Sequence, residues 1–185
     1  MKRLFFLFLL TPLAFAHRPQ PAEEKTEISE PGISHVIGGV FTSGVEVFRV
    51  ILPFEEPFAL PMELMVPWNL EAHRPVFAVM GPGLPEPTAE QREWLPLEVP
   101  DGSGVIIELN DNEEREVYFE RVMRRTMHTS GSLAMHLPAA ATYEVWIWSP
   151  EFTVGEFWFG FGVEEDFSDP DVWDPLFENW GLFGW

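Results

Sequence analysis

Two places along the chain join a methionine to a histidine, and this combination of side chains can bind copper. They are Met127-His128 and Met135-His136. A thioether and an imidazole together suit both Cu(I) and Cu(II). The alternative is that Met127 and Met135 are core-filling residues of strand-like segments, where methionine is an ordinary packing side chain.

The first sixteen residues have the three regions of a bacterial signal peptide. Lys2 and Arg3 are basic, residues 4–10 are continuously apolar, and Ala14-Phe15-Ala16 places small residues where signal peptidase needs them. The apolar run is too short to cross a bilayer as a helix. We therefore expect residues 1–16 to be removed and the protein to be periplasmic or extracellular, with no transmembrane segment in the mature chain.

Cleavage after Ala16 would make His17 the first residue of the mature protein. A free α-amine and its own imidazole can chelate copper, and a second histidine or a methionine would complete the site. The candidate histidine partners are His35, His73, His128 and His136. The alternative is a solvated N-terminus with scattered surface histidines, because a loose motif of this kind often matches by chance.

Oxygen ligands for calcium are concentrated in one polar segment. Asn110, Asp111, Asn112 and Glu113 follow one another, and Asp101 lies on the preceding loop. Calcium takes six to eight oxygens, but the spacing here is not that of an EF-hand. The alternative is a plain polar turn between two strands.

The C-terminal residues 168–185 form an acidic tail rich in aromatic side chains. Trp173, Phe177 and Trp180 have the i, i+4, i+7 spacing of one helical face, and Trp185 is the final residue. Such a segment could bind a partner as a helix in a groove. The alternative is that the tail folds back over an open edge of its own domain.

Nothing in the sequence has the spacing of a nucleophilic catalytic site. The chain has no cysteine and no Gly-x-Ser-x-Gly motif. Gly102-Ser103-Gly104 has the composition of a turn. We therefore expect a protein that is not an enzyme.

Composition narrows the class of partner and of fold. The formal net charge is −19 at pH 7, and such a field repels nucleic acid. The 17 Phe and eight Trp exclude a disordered chain and suit the core of a β-sandwich. An exported fold without cysteine must be stabilised by packing and hydrogen bonds rather than by disulfides.

Short strand-like runs separated by Gly, Pro and Asp predict an all-β, antiparallel β-sandwich. The Ser43-Gly44 pair predicts a hairpin between the first two runs, and Pro61 predicts an edge strand or a bulge. Thr88 could cap a short helical turn within a long loop, residues 84–103. The predicted strands are 35–42, 45–52, 58–66, 75–80, 105–109, 116–123, 132–137, 142–148 and 156–163.

Several stretches, taken in order, resemble a family of exported bacterial proteins of uncharacterised function. Their domain is similar to the bacterial pre-peptidase C-terminal (PPC-like) jelly-roll sandwich. The resemblance implies a fold and a location but no catalytic residues. Where the family has Ala-Gly-Thr-Tyr, this chain has Ala140-Ala141-Thr142-Tyr143; where members often have a membrane anchor, it has the acidic tail. The matching stretches are residues 65–67, 74–85, 118–120, 137–139, 142–145, 155–157 and 162–167.

The predicted organisation is a signal peptide (1–16), an extended Pro- and Glu-rich arm without a packed face (17–32), a β-sandwich domain (33–167) and the tail (168–185). The expected function is non-enzymatic binding or scaffolding of a protein or a glycan, in which exposed aromatic rings would stack on the sugars. The alternative is a periplasmic copper-binding protein that uses His17.

Overall fold

The computed structural model describes residues 18–110, 115–120 and 125–164. The signal peptide, His17, residues 111–113 of the calcium set and the aromatic tail with Trp173, Phe177, Trp180 and Trp185 lie outside these ranges. No helix within the described ranges is both long and apolar enough to cross a bilayer.

The described chain forms eleven strands and one short helix. In chain order these are β1 (Arg18–Pro21), β2 (Lys25–Glu27), β3 (His35–Phe41), β4 (Val47–Pro53), β5 (Phe58–Pro67), β6 (Val76–Gly81), α1 (Ala89–Trp94), β7 (Gly104–Glu108), β8 (Val117–Glu120), β9 (Arg125–Leu137), β10 (Thr142–Trp148) and β11 (Gly155–Phe161).

Two sheets pack face to face, as the strand pattern predicts. Sheet A has the order β1-β3-β11-β5-β9-β8, and sheet B has the order β2-β4-β10-β6-β7. Without β1, β2 and β8, each sheet keeps four strands, and the chain changes sheet at every connection except that from β6 to β7, in the manner of a jelly roll. The predicted β-sandwich is therefore confirmed, with the jelly-roll order of strands.

The core between the sheets is apolar and largely aromatic. Phe157 and Phe159 project from β11 towards Phe77 of β6 and Tyr143 of β10, and all four are fully buried. Ring contacts such as Phe77–Phe159, with centroids 5.3 Å apart, fill the space that wide flat side chains need between two sheets. This packing accounts for the high phenylalanine content.

The N-terminal arm is extended, as expected, but it is part of both sheets. β1 pairs in parallel with β3 and β2 pairs in parallel with β4. Thr26 is buried and Ile28 belongs to the core. The structure thus differs from the expected arm without a packed face. The short arm strands cover the edges that β3 and β4 would otherwise expose.

The predicted hairpin at Ser43-Gly44 is wrong. Gly44 does adopt the left-handed backbone of a tight turn, with φ 78°, but β3 lies in sheet A and β4 lies in sheet B. The turn therefore passes from one sheet to the other. Turn chemistry fixes where the chain reverses, and burial of the apolar faces decides which strands pair.

Pro61 does not place its strand at an edge. β5 lies inside sheet A between β11 and β9. Pro61 pairs with Ala134 of β9, and the ladder with β11 ends at Met62. The register shift of β5 occurs between Leu64 and Met65 instead. Because the β5–β11 ladder ends at Met62, Pro61, which has no N–H, lies just beyond that ladder.

The long loop and helix α1 cover the outer face of sheet B. Thr88 caps α1 in a capping box with Gln91, which confirms the predicted cap. Leu95, just after the helix, packs on Trp146 and Trp148. This cover buries Trp146 and Trp148 on the outer face of sheet B.

Candidate functional site

Four connections of the jelly roll meet at one end of the sandwich. The strand registers show this, because the end of β3 faces the start of β11, and the end of β10 faces the starts of β4 and β6. We call this end, formed by residues 42–46, 68–75, 109–110, 115–116 and 149–154, the loop end. Loops on a rigid sandwich are where such folds carry their binding sites.

Every connection of the loop end presents an exposed, large apolar side chain. Two of them, Val45 and Phe152, are each 68% exposed. Large apolar side chains exposed together at one end of a domain can form an interaction surface. The full set, which we call the apolar patch, is Val45, Trp68, Leu109, Phe152 and Val154.

Phe152 holds an unfavourable backbone conformation. Its φ is 55°, a region that a bulky side chain rarely adopts. The carbonyl of Phe152 lies against Gly44, where a Cβ atom would come within 2.2 Å of the carbonyl oxygen. The two turns therefore fix each other, and the strained residue points an aromatic ring into solvent.

His73 joins two connections of the loop end from inside. The ring is 2% exposed, and Nδ1 lies 2.8 Å from the Thr153 hydroxyl. Thr153 is held in turn by Ser149, whose hydroxyl accepts the Thr153 N–H at 2.9 Å. Burial, and then the nearby charge of Arg115, lowers the pKa of His73 to about 4.

This serine–threonine–histidine group is structural rather than catalytic. Ser149 is buried like His73, so a substrate cannot reach its hydroxyl, and a histidine with so low a pKa is a weak base at pH 7. Among the described residues, no carboxylate forms a hydrogen bond with His73 to orient its ring. The group braces the loop end.

Two further side chains stabilise the same end. Arg115 donates to the carbonyl oxygens of His73 and Glu71. Glu46 accepts the N–H groups of Thr42 and Ser43 at 2.9 and 2.8 Å. Partial burial raises the pKa of Glu46, but the hydrogen bond from the Thr42 hydroxyl and those from backbone N–H groups outweigh it and hold the pKa at about 2.

A cleft of about 360 Å³ borders the apolar patch. Trp94 of α1 forms one wall, with its ring against Trp148. Arg74, Asn110 and Glu151 supply polar groups on the other walls. An aromatic wall beside polar groups can also hold a sugar ring.

The predicted copper residues on β9 are not brought together. Successive side chains of a strand point to opposite faces, so the methionine and the histidine of each pair do not face the same site. Met127 is buried, and Met135 packs against the core between the sheets. His128 and His136 are eight residues apart on the same strand, which is about 26 Å. The described ranges contain no group of three or more metal-binding side chains.

The other two histidines have structural surroundings. His35 is buried, stacks on Phe161 and lies 3.1 Å from the Glu30 carbonyl oxygen. His73 braces the loop end. A copper site at the N-terminus stays a prediction, because His17 lies outside the described residues.

The predicted calcium residues are divided by a strand. Asp101 precedes β7 and Asn110 follows it, so the two lie at opposite ends of β7. The Asn110 side-chain amide donates to the Ser130 hydroxyl at 2.7 Å. Asp101 and Asn110 therefore do not lie close enough to bind one calcium ion. Asp111, Asn112 and Glu113 lie outside the described residues.

Sequence reasoning did not find the loop end. Its apolar residues are isolated along the chain and become a patch only through the jelly-roll topology. One signal was available, because Val45, Trp68 and Phe152 are large apolar residues in predicted connections.

No protein-family model matches this chain, and no curated protein matches it. Among solved structures, a CocE/NonD family hydrolase from Staphylococcus aureus is 9% identical over 80% of this chain and 29% of that chain, with a TM-score of 0.18. The chain thus spans less than a third of that hydrolase, and the likeness is too weak to carry an argument about fold or activity.

Proposed function

We propose that this protein is an exported, non-enzymatic binding module that holds a protein partner through the loop end. The observation that carries the proposal is the apolar patch, to which all four connections contribute. Surface apolar residues scattered singly need no explanation, but a cluster on braced loops does.

The bracing of the loop end supports binding rather than passive exposure. Arg115, His73 and Glu46 each fix a connection by hydrogen bonds. A surface that is ordered before binding loses less conformational entropy when the partner arrives. Strain at Phe152 costs folding free energy and gains little buried area within the described chain, which supports retention of the ring for a contact.

The test is affinity capture from the exported fraction of the native host with three forms of the protein. Besides the wild type, one form carries Val45→Ser and Phe152→Ser, and a matched control carries Leu97→Ser, an exposed apolar residue in the loop that follows α1. We expect the wild type and the control to capture the same partner protein in similar amounts. The double variant should capture at least tenfold less of it. Equal capture by all three forms would remove the loop end from consideration.

A glycan is the second candidate ligand, favoured by the cleft beside Trp94. It predicts that Trp94→Ala abolishes retention on an immobilised polysaccharide while the Val45/Phe152 double variant is retained. Loss of protein capture without any polysaccharide retention would decide for the protein partner.

Copper binding through the mature N-terminus stays an independent proposal. One-to-one copper binding, measured by titration and abolished by an extra Ala before His17, would support it. The same binding with and without the added residue would reject it.

A further inference from the structure

The outer face of sheet A carries an apolar cluster that faces away from the core. Val36, Met65, Met127 and Trp158 pack together there, with Tyr118 beside them. Trp158 is 2% exposed and Met127 is 0% exposed. A tryptophan on the solvated face of a sheet would keep a large part of its surface accessible.

The described part of the chain offers no element that covers this cluster. Helix α1 and the 84–103 loop lie on the outer face of sheet B. Among the described helix and strands, the main contacts of sheet A are those of neighbouring strands and, from the core side, of β6 and β7 with β9. The burial of Trp158 therefore calls for a cover from another part of the chain.

A groove of about 330 Å³ runs beside the cluster. Its floor includes Gly160 and Met65, and its rim includes Ser34 and Gly162. The described chain ends two residues after Gly162, at Glu164, which bridges to Ile33. The last described residue, Glu164, therefore lies beside the groove.

We propose that the acidic tail (168–185), together with the three residues before it, docks over the outer face of sheet A of the same chain and places aromatic side chains in this groove. Residues 165–185 can extend to about 70 Å, several times the length of a seven-residue strand, so they reach the whole face. Residues 165–185 include six large aromatic residues: Phe167, Trp173, Phe177, Trp180, Phe183 and Trp185.

Charge gives this docking an unusual signature. The groove contains Glu63, which accepts hydrogen bonds from Tyr118 at 3.2 Å and Thr129 at 2.8 Å, and Glu120. The tail is acidic as well, so apolar contact must overcome like-charge repulsion. Salt screens that repulsion, and docking therefore strengthens as the salt concentration rises from about 0.05 M to about 0.5 M.

The absence of cysteine from the chain allows a clean test by single-cysteine spin labelling. A nitroxide at Ser132→Cys, on the groove, is compared with one at Ser103→Cys, on the loop before β7. Both are placed in the chain from His17 to Trp185 with ¹⁵N-tryptophan. We expect the indole N–H signals of Trp173, Trp180 and Trp185 to broaden with the label at 132 and not with the label at 103.

Two further samples make the result decisive. In a mixture of spin-labelled ¹⁴N protein and unlabelled ¹⁵N protein, the tail signals stay sharp if docking is within one chain. Gly160→Val fills the groove floor, where the nearest atoms to an added Cβ are at 3.6 and 3.7 Å, and should remove the broadening. Ala59→Val, exposed on the same sheet face but outside the groove lining, should leave it.

The proposal is overturned if the tail indoles stay sharp with the label at 132, or if they broaden only in the mixed sample. It is equally overturned if high salt releases the tail. These outcomes do not bear on the loop end, because the groove and the apolar patch share no residue.

Discussion

Phe152 joins backbone strain to solvent exposure at one position of the loop end. A bulky residue in the left-handed region costs about 1 kcal/mol, and a ring that is 68% exposed recovers little of that by packing. Glycine adopts a φ of 55° without strain. Removing the side chain should therefore relieve the fold while it damages the surface.

We predict that Phe152→Gly is at least as stable as the wild type, by up to about 1 kcal/mol in the free energy of unfolding, and captures less partner. Leu97→Gly, another exposed apolar residue, should instead lose about 0.5–1 kcal/mol and keep its partner. Urea denaturation and affinity capture measure the two effects. A Phe152→Gly protein that is less stable than Leu97→Gly would show that the ring supports the fold.

His73 should make stability depend on pH in a defined window. The unfolded chain takes up a proton on this histidine near pH 6.5, while the folded protein holds the pKa at about 4. The unfolded state thus binds more protons between these values, so stability falls as pH falls, by about 2 kcal/mol from pH 7 to pH 5. This fall should be nearly absent in His73→Gln and unchanged in His136→Gln, an exposed control.

The denaturation midpoint measured at each half-unit of pH would check this. Parallel curves for the wild type and His73→Gln would contradict the assignment, whatever the absolute stability of the variant. Sequence alone placed His73 among several copper candidates. It could not reveal a structural role, because Thr153 is distant in sequence and meets the ring only in the folded chain.

The arm strands β1 and β2 show what the composition of a segment predicts and what it does not. Proline and glutamate in residues 17–32 predict an extended chain, and β1 and β2 are extended. The composition gives no sign of the parallel pairing with β3 and β4, because that pairing depends on sheet edges formed by distant segments. Ile28, the one large aliphatic residue of this segment, was the available clue.

We predict that Ile28→Ala costs about 3 kcal/mol of unfolding free energy, since the side chain is 2% exposed within the core. Ser29→Ala, on the exposed neighbouring residue, should change stability by less than about 0.5 kcal/mol. Equal effects in urea denaturation would mean that the arm is not part of the cooperative fold.

The first half of β9 is a strand that its local sequence does not predict. The sequence predicts a strand over 132–137, but β9 begins at Arg125. Its first half is polar, with Thr126, His128 and Ser130, and has no apolar alternation to reveal a strand. Pairing with β5 on one side and β8 on the other supplies the hydrogen bonds that make it one, which is a tertiary effect.

At the scale of the whole molecule, the sequence predicts the sandwich but not its functional surface. Short apolar runs with regular turns and a high aromatic content are enough to indicate two packed sheets. The apolar patch depends instead on which connections share an end, and topology decides that. The tail and the predicted N-terminal copper ligand are sequence features whose placement the described residues do not give.

Export predicts a defined N-terminus. The protein recovered from the native host should start at His17 and be found outside the cytoplasm, because residues 1–16 have the features that signal peptidase recognises. Intact-mass measurement of the secreted or periplasmic protein tests this. A chain that keeps Met1 and stays in the cytoplasm would contradict the proposed location.

The most direct test of the binding module is position-specific photocrosslinking in the native host. A benzoylphenylalanine is placed at Phe152 in one strain and at Leu97 in another, so that both carry the reactive group on an exposed apolar position. We expect a discrete crosslinked partner protein from position 152 and none from position 97. No adduct at 152, or the same adducts from both positions, would contradict a partner-binding loop end.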